Sequence, residues 1–440
     1  VTVFKENTDD YANSMVAYIT SDYNTGWMNG AIKLATLSDT DTTNVTGTEY
    51  VSNTSFTGTG NLTGWSLGGG GAAVNNNGVN IFDITASATD NNLMATTVNL
   101  VSGKTYIISY TVVDNSAGVA HNIFVSGVSH LGYSTSSSGT RQFSFVATQV
   151  SNTVQIRSGS GGNRLKGDNI SVRLAEPDRS VNNNGLQVFG TVTKTAVATG
   201  AELVGYSGFT TSNYLEQPYN ADMDFTTDMS ISYWIKGGAV GESLMDRGSL
   251  TRYTDYSWHI YHDGGSDYRL TLHSDGSTEQ QFEIADVVGT STWQHVVWTL
   301  SAGIVKGYWN GIEKSSAAFS GTLTSQSSTQ HSIKIGRSPV TGTSHSGSLA
   351  LVRVSATAPT AEQITKMYND EKHLFQTNAK ATLYGASNAV TALAYDDDTE
   401  LLHVGTSAGR SEFQGLNRVN NTTDAVSAAI SASNGFIVED

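Results

Sequence analysis

Residues 292–314 constrain the fold of this chain more than any other stretch. Apolar and polar residues alternate there in two short runs, and the second run, Ile304–Trp309, ends at Asn310-Gly311. A period of two is typical of a β-strand with one buried face. An Asn-Gly pair after such a run favours a type I′ hairpin turn, because both central residues need a positive φ. Three tryptophans lie in this stretch and suggest that the strand pair packs into the core of a sheet sandwich: Trp293, Trp298 and Trp309.

The same alternation recurs along the chain and predicts an antiparallel sandwich in each of two regions. The runs are 104–114, 141–147, 152–157, 168–174, 229–236, 268–273, 331–336 and 349–354. One helix is expected after Thr360, because Thr360 and Gln363 have the spacing of a capping box. Its buried stripe would be Ala361, Ile364, Met367 and Tyr368. The predicted fold class is therefore all-β, with two antiparallel jelly-roll sandwiches inserted between terminal β segments.

The composition narrows the class of protein. Only 14% of the 440 residues are charged, against about 25% in typical globular chains. The 7 Trp, 19 Tyr and 14 Phe argue against disorder, because they supply apolar area to bury. The net charge of −15 makes nucleic acid an unsuitable partner, since phosphate binding needs a basic surface. With no Cys, the domains must be held by core packing alone.

Neither membrane insertion nor secretion is indicated by the sequence. No apolar run approaches the roughly 18 residues of a membrane-spanning helix. The first residues, VTVFKENTDD, do not have the pattern of a signal peptide and do not begin with Met. We therefore expect the chain to be an excised or processed part of a longer protein.

Two regions resemble known sandwich families. Residues 186–375 resemble the laminin-G-like, concanavalin A-like jelly roll, whose recurring phrase is matched by Trp293, His295, Val296, Trp298, Tyr308, Asn310 and Gly311. Residues 47–176 resemble the jelly rolls of carbohydrate-binding modules, through EYVSNTSF at the start, LVSGKTY in the middle and GDNISVRL at the end. Residues 177–185 are predicted to be a linker between the two.

The two ends of the chain form a third predicted unit. Residues 376–440 contain AVTALAYDDDTELLHVGTSAG, which resembles one blade edge of a β-propeller. A single repeat leaves its face exposed, so it needs a partner. We expect residues 1–46 to pack with this tail. Whether they complete a blade of a larger propeller or pair with other subunits stays open.

No catalytic pattern is evident, so the chain is not expected to be an enzyme. Concanavalin-like glycosidases place paired carboxylates on one strand face, because hydrolysis needs an acid and a second carboxylate. The nearest pair, Glu283 and Asp286, has an offset of three that puts the two on opposite faces. His259, His262 and Asp263 are close in sequence, and we interpret them as a polar loop, with a metal or catalytic site as the alternative.

Structural calcium is the one cofactor that the resemblances imply. In carbohydrate-binding modules one ligand is often the acid that opens the last strand, here Asp168, and another comes from the first strand, here Glu49. Oxygen ligands of this kind suit a hard cation. The alternative for Asp168 is a turn-forming role at the end of a hairpin.

Glycan binding is the other candidate activity, because sugars stack on exposed aromatic rings and bond to polar side chains. The candidate residues lie in two segments that look like loops: Tyr253, Trp258, Tyr261 and Asp263 in the first, and Tyr133 in the second. The alternative for the first segment is a strand at the solvent edge. Trp65, Trp234 and Trp298 are predicted to be core residues.

The combination of modules resembles bacteriophage tail-fibre and virion-appendage proteins. That resemblance implies a virion surface protein, assembled in the host cytoplasm, that binds host cell-surface glycans and other virion proteins. A homo-oligomer is expected, with a trimer favoured, because several copies would offset weak single-site affinity. Two alternatives remain: the accessory binding region of a secreted glycan-degrading enzyme, and a purely structural virion decoration protein.

Overall fold

The computed structural model describes most of the chain, and all statements below concern that part. It covers residues 2–440 apart from 6–14, 19–30, 53, 58–61, 68–72, 75–80, 86–90, 115–120, 135–138, 159–163, 181, 183, 249–255, 265–266, 275–277, 286–288, 324–330, 339–341, 381, 388 and 416. Within it the predicted all-β class with two antiparallel sandwiches is confirmed. These residues include no helix with the length and apolarity that a membrane crossing needs.

The first sandwich follows four N-terminal strands. Those are β1 (Thr2–Lys5), β2 (Met15–Tyr18), β3 (Ile32–Thr36) and β4 (Val45–Gly47). The sandwich itself contains β5 (Ser66–Leu67), β6 (Ala73–Val74), β7 (Phe82–Thr85), β8 (Asn91–Asn99), β9 (Thr105–Asp114), β10 (His121–Val125), β11 (Ser129–Ser134), β12 (Gly139–Val146), β13 (Ser151–Ser158) and β14 (Arg164–Glu176). Its two sheets have the orders β11-β10-β13-β8-β5 and β12-β9-β14-β7-β6.

The second sandwich is larger. Its strands are β15 (Leu186–Ala196), β16 (Val204–Ser207), β17 (Tyr214–Gln217), β18 (Met229–Lys236), β19 (Ser243–Gly248), β20 (Tyr256–His262), β21 (Tyr268–Ser274), β22 (Thr278–Ile284), β23 (Gln294–Ser301), β24 (Ile304–Trp309), β25 (Ile312–Ala318), β26 (Ser332–Ile335), β27 (Arg337–Ser338), β28 (Thr343–Ser344) and β29 (Ser348–Ser355). A 3₁₀ turn covers Ala221–Met223. We call β15-β17-β26-β19-β20-β21-β22 the front sheet, and β16-β29-β18-β23-β24-β25 the back sheet.

The C-terminal part begins with the helix α1 (Ala361–Glu371) and the 3₁₀ turn Lys372–Phe375. A four-stranded antiparallel sheet follows, formed by β30 (Val390–Asp396), β31 (Leu401–Thr406), β32 (Gly409–Gln414) and β33 (Asn417–Thr422). The hairpin of β34 (Ile430–Ser433) and β35 (Phe436–Glu439) closes the chain. One four-stranded antiparallel sheet is the arrangement of a single propeller blade.

The predicted hairpin at residues 292–314 is present. Asn310 and Gly311 have φ values of 50° and 79° and join β24 to β25, as a type I′ turn requires. Ala302 and Gly303, with φ values of 49° and 72°, make the equivalent turn between β23 and β24. Two consecutive tight turns therefore fix the register of three neighbouring strands of the back sheet.

Aromatic and branched side chains fill the space between the sheets. In the second sandwich, Trp258 and Trp298 are both fully buried in one cluster with Ile260, Leu270 and Ile335. The prediction that Trp65, Trp234 and Trp298 are core residues is confirmed, with exposed fractions of 8%, 2% and 0%. Both sandwiches thus have separate cores, which is the basis for treating them as two modules.

The N-terminal segment lies on the second sandwich. We had expected it to pack with the C-terminal tail, but β3 pairs with β29, with Leu34 opposite Val354. β4 pairs with β15 of the same sandwich, with Thr46 opposite Thr191. Local sequence patterns do not predict this pairing, because backbone hydrogen bonds between strands far apart in the chain leave no periodic signal in either strand.

The predicted linker at residues 177–185 is held in place by hydrogen bonds of Asp178 and Asn184. We call this hydrogen-bonded segment the brace. Asp178 is buried, and its carboxylate accepts hydrogen bonds from the amides of Ala35, Ser180 and Asn184 at 2.6–2.8 Å. The Asn184 side chain donates to the Lys33 carbonyl at 2.9 Å. The connection between the sandwiches is therefore tied to β3 and fixes how the two modules meet.

The helix α1 has the predicted capping box, with Thr360 and Gln363 each bonding the other's backbone. Ile364 and Met367 are buried as expected, whereas Ala361 is exposed and Tyr368 is half-buried. Sequence periodicity missed Glu371, which is 1% exposed. Its carboxylate accepts hydrogen bonds from Arg353 at 2.6 Å and from the indole of Trp234 at 2.7 Å. Glu371 thus joins the helix to the outer side of the back sheet.

Replacing Glu371 with Ala should destabilise the second sandwich by about 3–5 kcal/mol, since the Arg353 cation would stay buried without its partner. Thr360→Ala removes only a cap and should cost about 1 kcal/mol. Urea unfolding followed by tryptophan fluorescence measures both. If Glu371→Ala lowers the free energy of unfolding by no more than Thr360→Ala does, the ion pair of Arg353 and Glu371 does not anchor the helix.

Candidate functional site

The face of the front sheet that points away from the core carries a row of polar side chains, as the period of two predicts. Strand register aligns them in one row, since Asp246 lies opposite both His259 and Lys334, and His259 lies opposite Thr271. Glu216 and Gln281 continue the row at its two ends. The middle of the row is buried and Gln281 is exposed.

Asp246 is the most perturbed acid of this row. Burial raises its pKa to about 7, although the Lys334 ammonium on the neighbouring strand acts in the opposite direction. Lys334 donates hydrogen bonds to the Gly248 carbonyl at 3.1 Å and to the Ser332 hydroxyl at 2.6 Å. A carboxyl group with a pKa near neutrality can both give and take a proton at physiological pH.

His259 and Tyr261 form a stacked pair on the same face, with ring centroids 4.7 Å apart and planes 11° apart. The Tyr261 hydroxyl accepts a hydrogen bond from Arg269 at 3.1 Å. Arg269 also forms ion pairs with Asp263 and Glu283. Tyr261 and Asp263, both predicted glycan ligands, are therefore brought together through Arg269, but their polar groups are already engaged.

The other predicted glycan ligands do not join them. Trp258 is fully buried in the core, so the prediction that it is a sugar platform is wrong. Tyr133 is in β11, in the other sandwich, and its side chain lies outside the described residues, as does all of Tyr253. His259 and His262 lie in the strand β20 and not in the polar loop that we expected.

The carboxylate of Glu49, one of the two predicted calcium ligands, is bonded by protein donors, and calcium binding at Glu49 and Asp168 stays a prediction. The Glu49 carboxylate accepts hydrogen bonds from the amides of Val51 and Val172 and from the Ser171 hydroxyl, and it lies 3.2 Å from the Arg173 guanidinium. Val51 and Val172 bond one carboxylate oxygen and Ser171 and Arg173 the other, so four donors occupy the Glu49 carboxylate. Burial raises the pKa of Asp168, and a hydrogen bond from the Asn169 backbone acts in the opposite direction.

A second candidate surface is a cleft of about 250 Å³ between the two sandwiches. β12 of the first sandwich contributes Gln142, Phe143 and Ser144 to its walls. The brace and the second sandwich contribute four amide side chains: Asn182, Asn184, Gln217 and Asn220. Among the lining residues that the structure describes, none carries a charge.

Hydrogen bonds hold the cleft's amide groups in place. Gln217 donates to the Gln142 side chain at 3.0 Å, across the boundary between the modules. Asn220 donates to the Asn184 side chain at 2.6 Å. The Gln217 Oε1 oxygen is buried and has no hydrogen-bond partner among the described residues. The cleft is therefore lined by side-chain amides held in place by hydrogen bonds and by the ring of Phe143.

Comparison with known families concerns the second sandwich. A family model described as the concanavalin A-like lectin/glucanases superfamily matches residues 209–365. This region has the concanavalin A-like lectin fold. No curated protein has a sequence that matches the chain.

Several solved structures show a weaker likeness. The binding domain of Paraclostridial Mosquitocidal Protein 1 is 14% identical, with a TM-score of 0.37 over 54% of this chain and 62% of that one. The botulinum neurotoxin serotype D ligand binding domain in complex with N-acetylneuraminic acid is 14% identical, with a TM-score of 0.37 over 56% and 60%. Domain 4 of AbnA, an extracellular arabinanase from Geobacillus stearothermophilus, in complex with arabinotriose, is 18% identical, with a TM-score of 0.32 over 41% and 82%. The chain thus spans less than two thirds of either toxin domain, and TM-scores this low say nothing about function.

Sequence reasoning missed the cleft and the row for the same reason. Asp246, Lys334 and Glu216 are far apart in sequence and meet only through strand pairing. The one available signal was the period of two in β19, β20 and β21, which predicts a polar face without showing which strands are neighbours.

The raised pKa of Asp246 should make the second sandwich less stable as the pH rises. Unfolded Asp has a pKa of about 3.9, so between about pH 4 and 7 the unfolded chain loses a proton that the folded chain keeps. Asp246→Asn removes this effect. We expect the variant to match the wild type near pH 4 and to exceed it at pH 8 by up to about 4 kcal/mol in unfolding free energy.

Urea unfolding at several pH values measures this, with the exposed Asp222 replaced by Asn as the matched control. Parallel pH profiles for the wild type and Asp246→Asn would contradict the raised pKa.

Proposed function

We propose that the chain is a carbohydrate-binding protein and that the cleft between its two sandwiches holds the glycan. The observation that carries the proposal is the wall of the cleft, where amide side chains from both modules surround the ring of Phe143. Amides both donate and accept hydrogen bonds, as sugar hydroxyl groups do. A half-buried aromatic ring suits the apolar C–H face of a sugar.

The cleft's chemistry also indicates the class of glycan. An acidic sugar would be expected to meet a cation, and the described lining residues include none. A neutral glycan is therefore favoured. The volume of about 250 Å³ lies below the usual range for drug-sized ligands, so one or two sugar units would fill it. The match to a lectin/glucanase superfamily model over residues 209–365 agrees with this class of ligand.

We further propose that the protein acts in host attachment as part of a virion appendage, on the virion surface after assembly in the host cytoplasm. The support is the sequence resemblance to phage tail-fibre proteins. Weak binding in a small cleft would need several copies for useful avidity, which is why a homo-oligomer, with a trimer favoured, belongs to this proposal. Light scattering on the purified chain tests it, and a monomer at micromolar concentration would count against it.

Glycan hydrolysis is the rival function, and its candidate acid is Asp246, whose carboxyl group is buried and would have to become exposed to meet a glycan. Its pKa of about 7 suits a general acid. Hydrolysis needs a second carboxylate, and Glu216 lies two strands away in the same row. Two strand spacings amount to about 10 Å, near the upper limit for inverting glycosidases.

A glycan array probed with the full chain should give hits among neutral glycans. For the best hit, calorimetry should show at least about fivefold weaker binding by Phe143→Ala, since truncating an aromatic anchor costs about 1 kcal/mol or more. Gln142→Ala should weaken binding too. Phe436→Ala is the matched control, because that ring is 78% exposed in the C-terminal hairpin and should leave affinity unchanged.

Thermal melting shows whether each variant folds. A folded wild type without array hits would overturn the proposal, and so would unchanged affinity in both cleft variants. Release of reducing ends from a bound glycan, abolished by Asp246→Asn, would establish hydrolysis in its place.

A further inference from the structure

One end of the second sandwich gathers a carboxylate and two imidazoles that are distant in sequence. Glu242 stands immediately before β19, His262 ends β20 and His345 follows β28. Each side chain offers one atom that can bind a metal, and these three atoms lie within 4.8 Å of one another. None of the three residues belongs to the cleft or to the polar row.

Both imidazoles are fully buried and incompletely bonded. His262 and His345 have exposed fractions of 0%. Nε2 of His262 and both ring nitrogens of His345 have no hydrogen-bond partner among the described residues. A buried polar atom without a partner typically costs about 1–3 kcal/mol. Several such atoms directed into one small space indicate a missing partner.

The tautomer of His262 points to the same conclusion. Its Nδ1 donates to the Ala239 carbonyl at 2.9 Å, which leaves the lone pair on Nε2. A bond from one ring nitrogen to a backbone carbonyl is the usual way to orient a metal-binding histidine.

Glu242 supplies the negative charge. Its Oε2 accepts hydrogen bonds from the amides of Ala239 and Ser346, both at 2.9 Å, and lies 3.5 Å from Nδ1 of His345. The two amide hydrogen bonds fix the position of this carboxylate beside His345.

Two glycines leave room around the imidazoles. A Cβ at Gly238 would lie 2.4 Å from Cε1 of His262 and 2.7 Å from Cε1 of His345. A Cβ at Gly347 would lie 2.7 Å from Nε2 of His345. Any larger residue at either position would displace the rings.

We propose that Glu242, His262 and His345 bind one divalent transition-metal ion of the Zn²⁺ class, with water completing its coordination. Two imidazoles and one carboxylate are a ligand set that zinc accepts, whereas calcium takes oxygen ligands. With bonds of about 2.0–2.1 Å, the ligand atoms of a tetrahedral zinc are about 3.4 Å apart. The separation of 3.5 Å between Glu242 and His345 fits this value.

The ion would add a link between side chains to three segments that backbone hydrogen bonds already bring together, such as the 2.8 Å bond from the His262 amide to the Glu242 carbonyl. Glu242 lies in the turn between β18 and β19, His262 belongs to β20, and His345 lies in the segment between β28 and β29. A shared ion would tie the two connecting segments to the end of the front sheet. The binding free energy then adds to the folding free energy of this sandwich.

Cobalt titration of the full, tag-free chain tests the site after chelator treatment. Co²⁺ should bind one equivalent and give the visible absorption of a nitrogen- and oxygen-ligated ion, and Zn²⁺ should displace it. Zn²⁺ should also raise the melting temperature, whereas Ca²⁺ should not. His345→Ala and Glu242→Gln should each weaken Zn²⁺ binding at least about 100-fold, more than the loss of an outer-shell partner.

His373→Ala is the matched control, because it removes an exposed histidine at the end of the helix. It should leave Zn²⁺ affinity unchanged. A folded wild type that binds neither Co²⁺ nor Zn²⁺ would overturn the proposal and leave the 3.5 Å contact between His345 and Glu242 as the role of these residues. Unchanged affinity in both ligand variants, or competition by Ca²⁺ at equal concentration, would also overturn it. If a variant fails to fold, the wild-type titration still decides.

Discussion

Burial of tryptophan between two antiparallel sheets is the interaction on which the second sandwich depends. Trp258 on the front sheet and Trp298 on the back sheet share one fully buried cluster. Because the chain has no Cys, no covalent bond assists this core. Trp234 extends the same principle to the outer side of the back sheet, where it stacks on Phe375 with ring centroids 4.2 Å apart. The helix is thereby held against the sandwich by aromatic contact as well as by Glu371.

The polar face of the front sheet follows from the same alternation that builds the core. On β20, Trp258 and Ile260 face inward, so His259 and Tyr261 must face outward. The neighbouring strands repeat this pattern, and register then sets Asp246 beside Lys334 and His259. A single constraint, the period of two, thus produces both the apolar interior and the row of ionisable groups.

The junction between the modules is built differently. Asp178 gathers backbone amides from β3 and from its own segment, and Asn184 reaches the Lys33 carbonyl. The N-terminal strands are in this way part of the second sandwich and part of the module boundary. The amide-lined cleft exists because this brace holds β12 of the first sandwich close to Asn220 and Gln217. Neither module alone contains the complete set of cleft residues.

Local sequence determined those features that depend on near neighbours. The Asn310-Gly311 turn, the capping box of Thr360 and Gln363, and the buried faces of the strands all follow from residues a few positions apart. The net charge of −15 likewise argued against a nucleic-acid partner, and the absence of Cys indicated that packing alone holds the cores. The loop-like appearance of residues 256–262 was misleading, because Tyr, Trp and His suit a strand as well as an exposed binding loop.

Tertiary structure alone decided which distant residues meet. The pairing of β3 with β29, the row through Asp246 and Lys334, and the cluster of Glu242, His262 and His345 join segments separated by tens to hundreds of residues. Alternation states which face of a strand a side chain occupies, but it does not state which strand lies beside it. Every candidate site in this protein consists of such cross-strand or cross-module neighbours, and for that physical reason the sequence by itself determined the fold class and left the sites to the structure.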